Sequence, residues 1–271
     1  MTNLTVTSPL PLKHDLTTAR TWSIILAALI GVMSLAGLIF PEVIYPTEEL
    51  SQSYLANDVV NLLIGLPILL GSIWLARRGA LLGLLFWPGA LLYSLYNYTA
   101  YLFGIPFGWI TGVNLTIVLL SGYLMFVLLK EIDGKWVQEQ VAGKVPEKFG
   151  GWVLVLFGIA FILRSIGEFA SGSMPITEIG VLVADLALSA AMFSGGVSML
   201  WRKPFGYASS TGLLFAASML FIGLILVLLL QPVLTDAPFD LAGVLTVAVM
   251  SVVCFLPFVL FVRGIQKERK S

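Results

Sequence analysis

Asp58, Glu168 and Asp185 are three carboxylates set inside long apolar runs, and Arg164 is the one guanidinium among them. Arg164 and Glu168 are four residues apart, so they share a helical face and can pair directly. A guanidinium can also take a second carboxylate, and Asp185 is its expected partner from another helix. One acid then has no cation, so it must carry a proton, reach water or bind a cation. Neutral polar residues follow the same spacing. Asp58, Asn61 and Gly65 share one face, Tyr93, Asn97 and Tyr101 form a stripe ending near Gly104, and Asp185 and Ser189 form another pair, with Asn114 early in a further apolar run. Such groups are costly in a bilayer and are expected to turn inward, towards partners or a ligand.

The elements that must hold them are apolar helices. The chain has 271 residues, 58% hydrophobic and 11% charged, where a soluble domain would carry about a quarter charged. Its mean hydropathy is +0.97. The formal net charge is zero, which gives no reason to expect nucleic acid. Eight stretches are long enough to span a bilayer: 22–40, 59–76, 81–103, 109–129, 151–170, 179–201, 207–231 and 241–262. Ser34-Leu35-Ala36 resembles a small-x-small cleavage site, but the first span has a counterpart later in the chain and is expected to be retained.

Of the 15 Lys and Arg residues, all but Arg164 fall in five segments on one side of this weave: Lys13 and Arg20, Arg77 and Arg78, Lys130 to Lys148, Arg202 and Lys203, and Arg263 to Lys270. The opposite loops hold only acids, Glu42, Glu48, Glu49, Glu178, Asp236 and Asp240. The excess of positive charge on cytoplasmic loops predicts an inner (cytoplasmic) membrane protein with both termini inside.

A shift of 127 residues lays Asp58 on Asp185, Trp74 on Trp201 and Gly79 on Gly206. Thr21-Trp22 then matches Gly151-Trp152 with a small displacement. The fold expected is all-α: eight transmembrane helices as two parallel four-helix repeats, related by an axis along the membrane normal. The divisions are a cytoplasmic arm 1–21, a first unit 22–129, a cytoplasmic linker 130–150, a second unit 151–262 and a cytoplasmic tail 263–271. Each Asp lies 16 residues before its Trp, about 24 Å of helix, which puts the polar residues in one layer of the outer leaflet. Pro67 and Pro257 are expected to kink their helices. Trp74 and Trp201 read as interfacial anchors, and so do Tyr98 and Tyr96. Gly195-Gly196 allows close helix contact within one chain or in a homo-oligomer.

The run Asp58-Val59-Val60-Asn61-Leu62, with Ala76-Arg77-Arg78-Gly79, Tyr96-Asn97-Tyr98 and Phe103-Gly104, resembles uncharacterised bacterial polytopic membrane proteins. The resemblance covers 58–129 and implies no activity; it marks Asp58, Asn61 and Asn97 as motif positions.

Several chemistries are poorly served. His14 is the only histidine, and no P-loop, dinucleotide-binding glycine pattern or CxxC occurs. Cys254 has no disulfide partner in the chain. No cofactor is implied; a metal held by carboxylates alone and an Asp58–Asp185 aspartyl dyad stay open. The leading expectation is a transporter or binding protein with an outward-facing polar pocket for a small cationic solute, an ion or a proton. Asp58, Asn61, Tyr93, Asn97, Tyr101, Asn114, Arg164, Glu168 and Asp185 form that pocket, with membrane lipids around it. An intramembrane enzyme acting on a lipid or quinone-like substrate and a structural subunit are the alternatives.

Overall fold

The computed structural model describes residues 10–170, 172 and 174–267. The end of the basic tail, beyond Lys267, lies outside them. Among the described residues the chain is helical, with one isolated bridge between Leu12 and Ile132. The helices are α1 (Thr17–Ile39), α2 (Pro41–Ile44), α3 (Glu48–Val60), α4 (Leu66–Arg77), α5 (Leu81–Gly104), α6 (Trp109–Glu131), α7 (Gly134–Val141), α8 (Glu147–Ala170), α9 (Ile176–Leu200), α10 (Pro204–Leu234) and α11 (Leu241–Lys267). A π turn, Asn61–Gly65, joins α3 to α4 in one continuous rod.

Among the described residues, seven helices are long and apolar enough to cross a membrane: α1, the α3–α4 rod, α6, α8, α9, α10 and α11. The chain is therefore a multi-pass membrane protein. The remaining apolar stretch of the sequence forms α5, a 24-residue helix with four tyrosines, Asn97, Trp87 and Pro88 along it, which is not among these seven. Those residues lower its apolarity because α5 faces protein rather than lipid: most of its length is buried. Elsewhere Val32, Leu63, Leu119, Phe126, Leu163 and Val249 point outward, as a lipid-facing surface requires.

Local chemistry accounts for the element ends. Thr47 caps α3 by accepting from the Leu50 amide at 3.3 Å, and Glu48 and Glu49 sit in its first turn, where the helix dipole favours acids. Pro67 lacks the N–H that would bond one turn back, and the chain adjusts with the π turn just before it. Pro257, by contrast, leaves α11 continuous to Lys267. Within 130–150, Asp133 caps α7 through the amides of Lys135 and Trp136, and α8 begins at Glu147.

The packing has a double pattern. α5 packs on α4, α6, α9 and α10, and α10 packs on α9, α11, α3 and α5. α1 meets α6 and the α3–α4 rod, while α8 meets α11 and α9. Each contact among α1, the α3–α4 rod, α5 and α6 thus has a counterpart among α8 to α11. At the centre, α5 crosses α10 at Gly89 and Gly212, so closely that a side chain at either would collide with the other helix's backbone. Gly195 and Gly196 serve contacts inside the chain, facing Leu213 of α10 and Gly151 of α8.

The turns after α4 and α9 differ from the expected register. Arg78 caps α4 as Trp201 caps α9, with nearly the same backbone angles (φ −83° and −84°). Gly79 and Arg202 then take the left-handed position (φ 74° and 51°), and Gly83 and Gly206 each pack on the end of the preceding helix. The two turns are thus alike with Gly79 set against Arg202, four residues short of the sequence match that sets Gly79 against Gly206, and Gly89 and Gly212 keep the same spacing. Asp58 lies about one helical turn further from its turn than Asp185 does, roughly 5–6 Å.

Candidate functional site

Asp58 sits in the last turn of α3, directly before the π turn, and is 2% exposed. The Tyr45 hydroxyl donates to its Oδ2 at 2.6 Å, and the Tyr101 hydroxyl donates to Oδ1 at 2.9 Å. Gly37 of α1 presses on the same carboxylate; a Cβ there would occupy the space Oδ2 and the Tyr45 hydroxyl need. Beside Asp58 is a void of about 10 Å³, bordered by Met33, Tyr45, Tyr98, Tyr101 and Asn114. Tyr101 is held from its other side too: Asn57 Nδ2 donates to its hydroxyl oxygen and to Asn97 Oδ1, both at 3.3 Å, and Tyr54 stacks on its ring at 4.7 Å. Asn97 Nδ2 in turn donates to the Tyr93 carbonyl one helical turn back.

Arg164 and its acids form the second centre. Nε donates to Glu168 Oε1 at 2.6 Å along α8, and Nη1 donates to Asp185 Oδ2 on α9 at 3.1 Å. Asp185 is 1% exposed while Arg164 is 49% and Glu168 31%, so the pair has one dry end and one open end. The Tyr96 hydroxyl donates to Asp185 Oδ1 at 2.9 Å, bringing α5 into the same group. Each aspartate is thus occupied by its own tyrosines, and no hydrogen bond joins Asp58 to Asp185. The dyad geometry is absent.

Between the two centres lies a cavity of about 340 Å³, within the range of small-ligand pockets. Tyr54, Asn57, Tyr93, Tyr96, Asn97 and Arg164 belong to its polar lining. Phe161, Leu188, Met192, Ala217, Phe221 and Leu224 are among its apolar lining. Of the residues expected from sequence, Tyr93, Asn97 and Arg164 reach this space. Tyr101 and Asp185 sit one hydrogen bond behind it and Asp58 two, through Tyr101 and Asn57, while Glu168 pairs with Arg164 at its side. Asn114 lies apart from the cavity, beside Asp58. Asn61 is buried in the π turn and does not line the cavity; its Nδ2 has no hydrogen-bond partner.

Four participants escaped the sequence reading. Tyr96 and Tyr98, read as interfacial, are instead inside the bundle: Tyr96 binds Asp185, and buried Tyr98 donates to the Ile30 carbonyl at 3.3 Å. Asn57 was visible as the neighbour of Asp58 and four residues before Asn61. Tyr45 carried no signal, since its loop position gave it no helical spacing to any acid.

A third polar group lies at the turn end of the bundle. Glu147 accepts from the Tyr207 hydroxyl (2.7 Å), Arg202 Nε (2.9 Å) and the Gly143 amide (2.9 Å). It ties the linker to the α9–α10 turn, and its bonds are all internal. A second hollow, about 820 Å³ between the α4–α5 turn, α7 and α11, is lined mainly by apolar side chains and has Arg263 as its one charged residue. Neither has the convergent polar groups of the central cavity. Among the described residues, no group of three or more His, Cys, Asp and Glu side chains could hold a metal ion. No protein-family model matches the chain, and no curated protein or solved structure is significantly similar to it.

Proposed function

We propose that the chain is an inner-membrane protein of two parallel four-helix units that binds or transports a small amphiphilic amine in the cavity between them. The cavity carries this reading. Its lining offers the amides of Asn57 and Asn97, the phenols of Tyr54, Tyr93 and Tyr96, and the Arg164 guanidinium; Glu168 and Asp185, which hold that guanidinium, set two carboxylates against it, a surplus that favours a cation. Tyr93 and Tyr96 add aromatic faces that attract an ammonium group. The apolar lining from α9 and α10 suits an apolar tail. The carboxylates are engaged by phenols or arginine and do not face the cavity as free acid–base groups, which favours binding over chemistry.

Eight spans and a duplication are supported by the spanning length of α5, the paired helix contacts and the Gly89–Gly212 crossing. The loop charges support cytoplasmic termini.

Thermal shift of the purified protein with a series of alkylamines, matched against alkyl carboxylates and alcohols, tests the reading. Amines are expected to raise Tm saturably, and Ala217→Leu, which narrows the cavity, should weaken the effect about tenfold. Equal responses to all three head groups would sink the amine assignment. Uptake of the best amine into proteoliposomes then separates transport from binding alone.

A further inference from the structure

We propose that Asp58 holds one exchangeable unit of positive charge, a proton or a Na⁺-sized cation, and that Tyr101 and Asn57 link this site to the central cavity. The argument begins with charge. Asp58 is buried in a membrane-spanning rod, and the only basic residue within the spans at this level, Arg164, is bonded to Glu168 and Asp185. No Lys, Arg or His borders the void beside Asp58; the titratable groups facing it are the phenols of Tyr45, Tyr98 and Tyr101. Two phenol hydrogens solvate a carboxylate without cancelling its charge. An uncancelled charge at this depth is costly, and a bound positive charge removes the cost.

The surroundings are built to receive one. The available atoms are hard oxygens, which suit a proton or an alkali cation better than a soft metal. They come from the Asp58 carboxylate, the Tyr45 and Tyr101 hydroxyls, the Asn114 side chain and Ser34. Ser34 Oγ is fully buried on α1, faces both Asp58 and Tyr98, and has no well-aligned hydrogen-bond partner. The void of about 10 Å³ has room for one small ion or a water. Ile44, Ile105 and Ile110 close it towards the α1–α3 and α5–α6 loops.

The link runs through three side chains. Asn57 donates to both Tyr101 and Asn97, and Tyr101 donates to Asp58. Asn57 and Asn97 border the cavity while Asp58 does not. A solute that draws on either asparagine changes what Tyr101 receives, and so how firmly it donates to Asp58. Such coupling is reciprocal: the charge at Asp58 alters the cavity's affinity by the same factor. The ion site stands without the amine reading; only the link rests on the cavity being occupied.

The test uses the full chain in nanodiscs with no solute, so the amine reading cannot affect it. Melting is followed by tryptophan fluorescence for wild type, Asp58→Asn, Ser34→Ala and Asn57→Leu. In one arm Na⁺ replaces Cs⁺, too large for the void, at fixed pH and ionic strength; in the other pH falls without Na⁺, with infrared detection of the protonated carboxyl band. A sodium site predicts a saturable rise in wild-type Tm, absent in Asp58→Asn and weakened about tenfold in Ser34→Ala. A proton site predicts that wild type gains on Asp58→Asn as pH falls, with a carboxyl band missing from Asp58→Asn. Asn57→Leu should move the midpoint of whichever response occurs about fivefold; an unmoved midpoint overturns the link. Should Asp58→Asn fail to fold, wild type and Ser34→Ala still decide. A wild type with no sodium response and no carboxyl band overturns the site.

Discussion

Gly89 and Gly212 meet backbone to backbone where α5 crosses α10, and a Cβ on Gly89 would strike the Gly212 carbonyl. In lipid, where tails are as apolar as leucine, such close contact is a principal source of helix association. Gly89→Val should therefore destabilise the bundle by about 3 kcal/mol or more, at or beyond the upper range of overpacking. Gly71, with nothing near its Cβ position, is the control, and Gly71→Ala should leave stability unchanged or raise it by roughly 0.5–1 kcal/mol. Unfolding in mixed micelles measures both.

Removing the Arg164 guanidinium should be costlier than removing its open partner. Arg164→Met leaves Asp185 buried with only Tyr96, a loss of about 2–3 kcal/mol once the half-exposure of Arg164 is allowed for. Glu168→Gln, at the exposed end, should cost less than about 1 kcal/mol. Equal losses for the two variants would mean Asp185 is not held by Arg164 in the membrane.

Tyr96→Phe removes one donor to a buried carboxylate and should cost about 1.5–3 kcal/mol. Tyr123→Phe, on an exposed face, should be silent. A silent Tyr96→Phe would return that residue to the interfacial role its sequence suggests. Chemical unfolding of the two variants side by side reads the difference.

Orientation can be read with single cysteines in a Cys254→Ser background, since Cys254 is buried. Glu42→Cys and Asp236→Cys should react with an impermeant maleimide in intact spheroplasts. Lys135→Cys and Lys203→Cys should react only after permeabilisation. The reverse pattern would invert the topology and place the Asp58 site near the cytoplasm.

Helices and charge pairing were the legible part of the sequence. Arg164 and Glu168 announce themselves by spacing, and scarcity of charge points Arg164 to Asp185. Tyrosines were harder, because a phenol at the membrane surface and one capping a buried acid have the same neighbours in sequence. Tyr96 and Tyr45 are separated from belt residues only by what another helix brings to them. The tryptophans matched in the sequence do not hold like places: Trp74 lies in the last turn of its helix and Trp201 is the cap of its own, a distinction carried by backbone angles. Gly79 and Arg202 share a left-handed position, a likeness that residue type does not show.

The burial of α5 has a consequence for how the protein is made. Asn97 and Tyr101 are met by Asn57, Tyr54 and Asp58 of α3, which precedes α5 in synthesis. Tyr96 and Gly89 instead meet Asp185 of α9 and Gly212 of α10, which the ribosome delivers after α5. One side of α5 can thus be covered by the first half alone, while its other side waits for the second half to arrive.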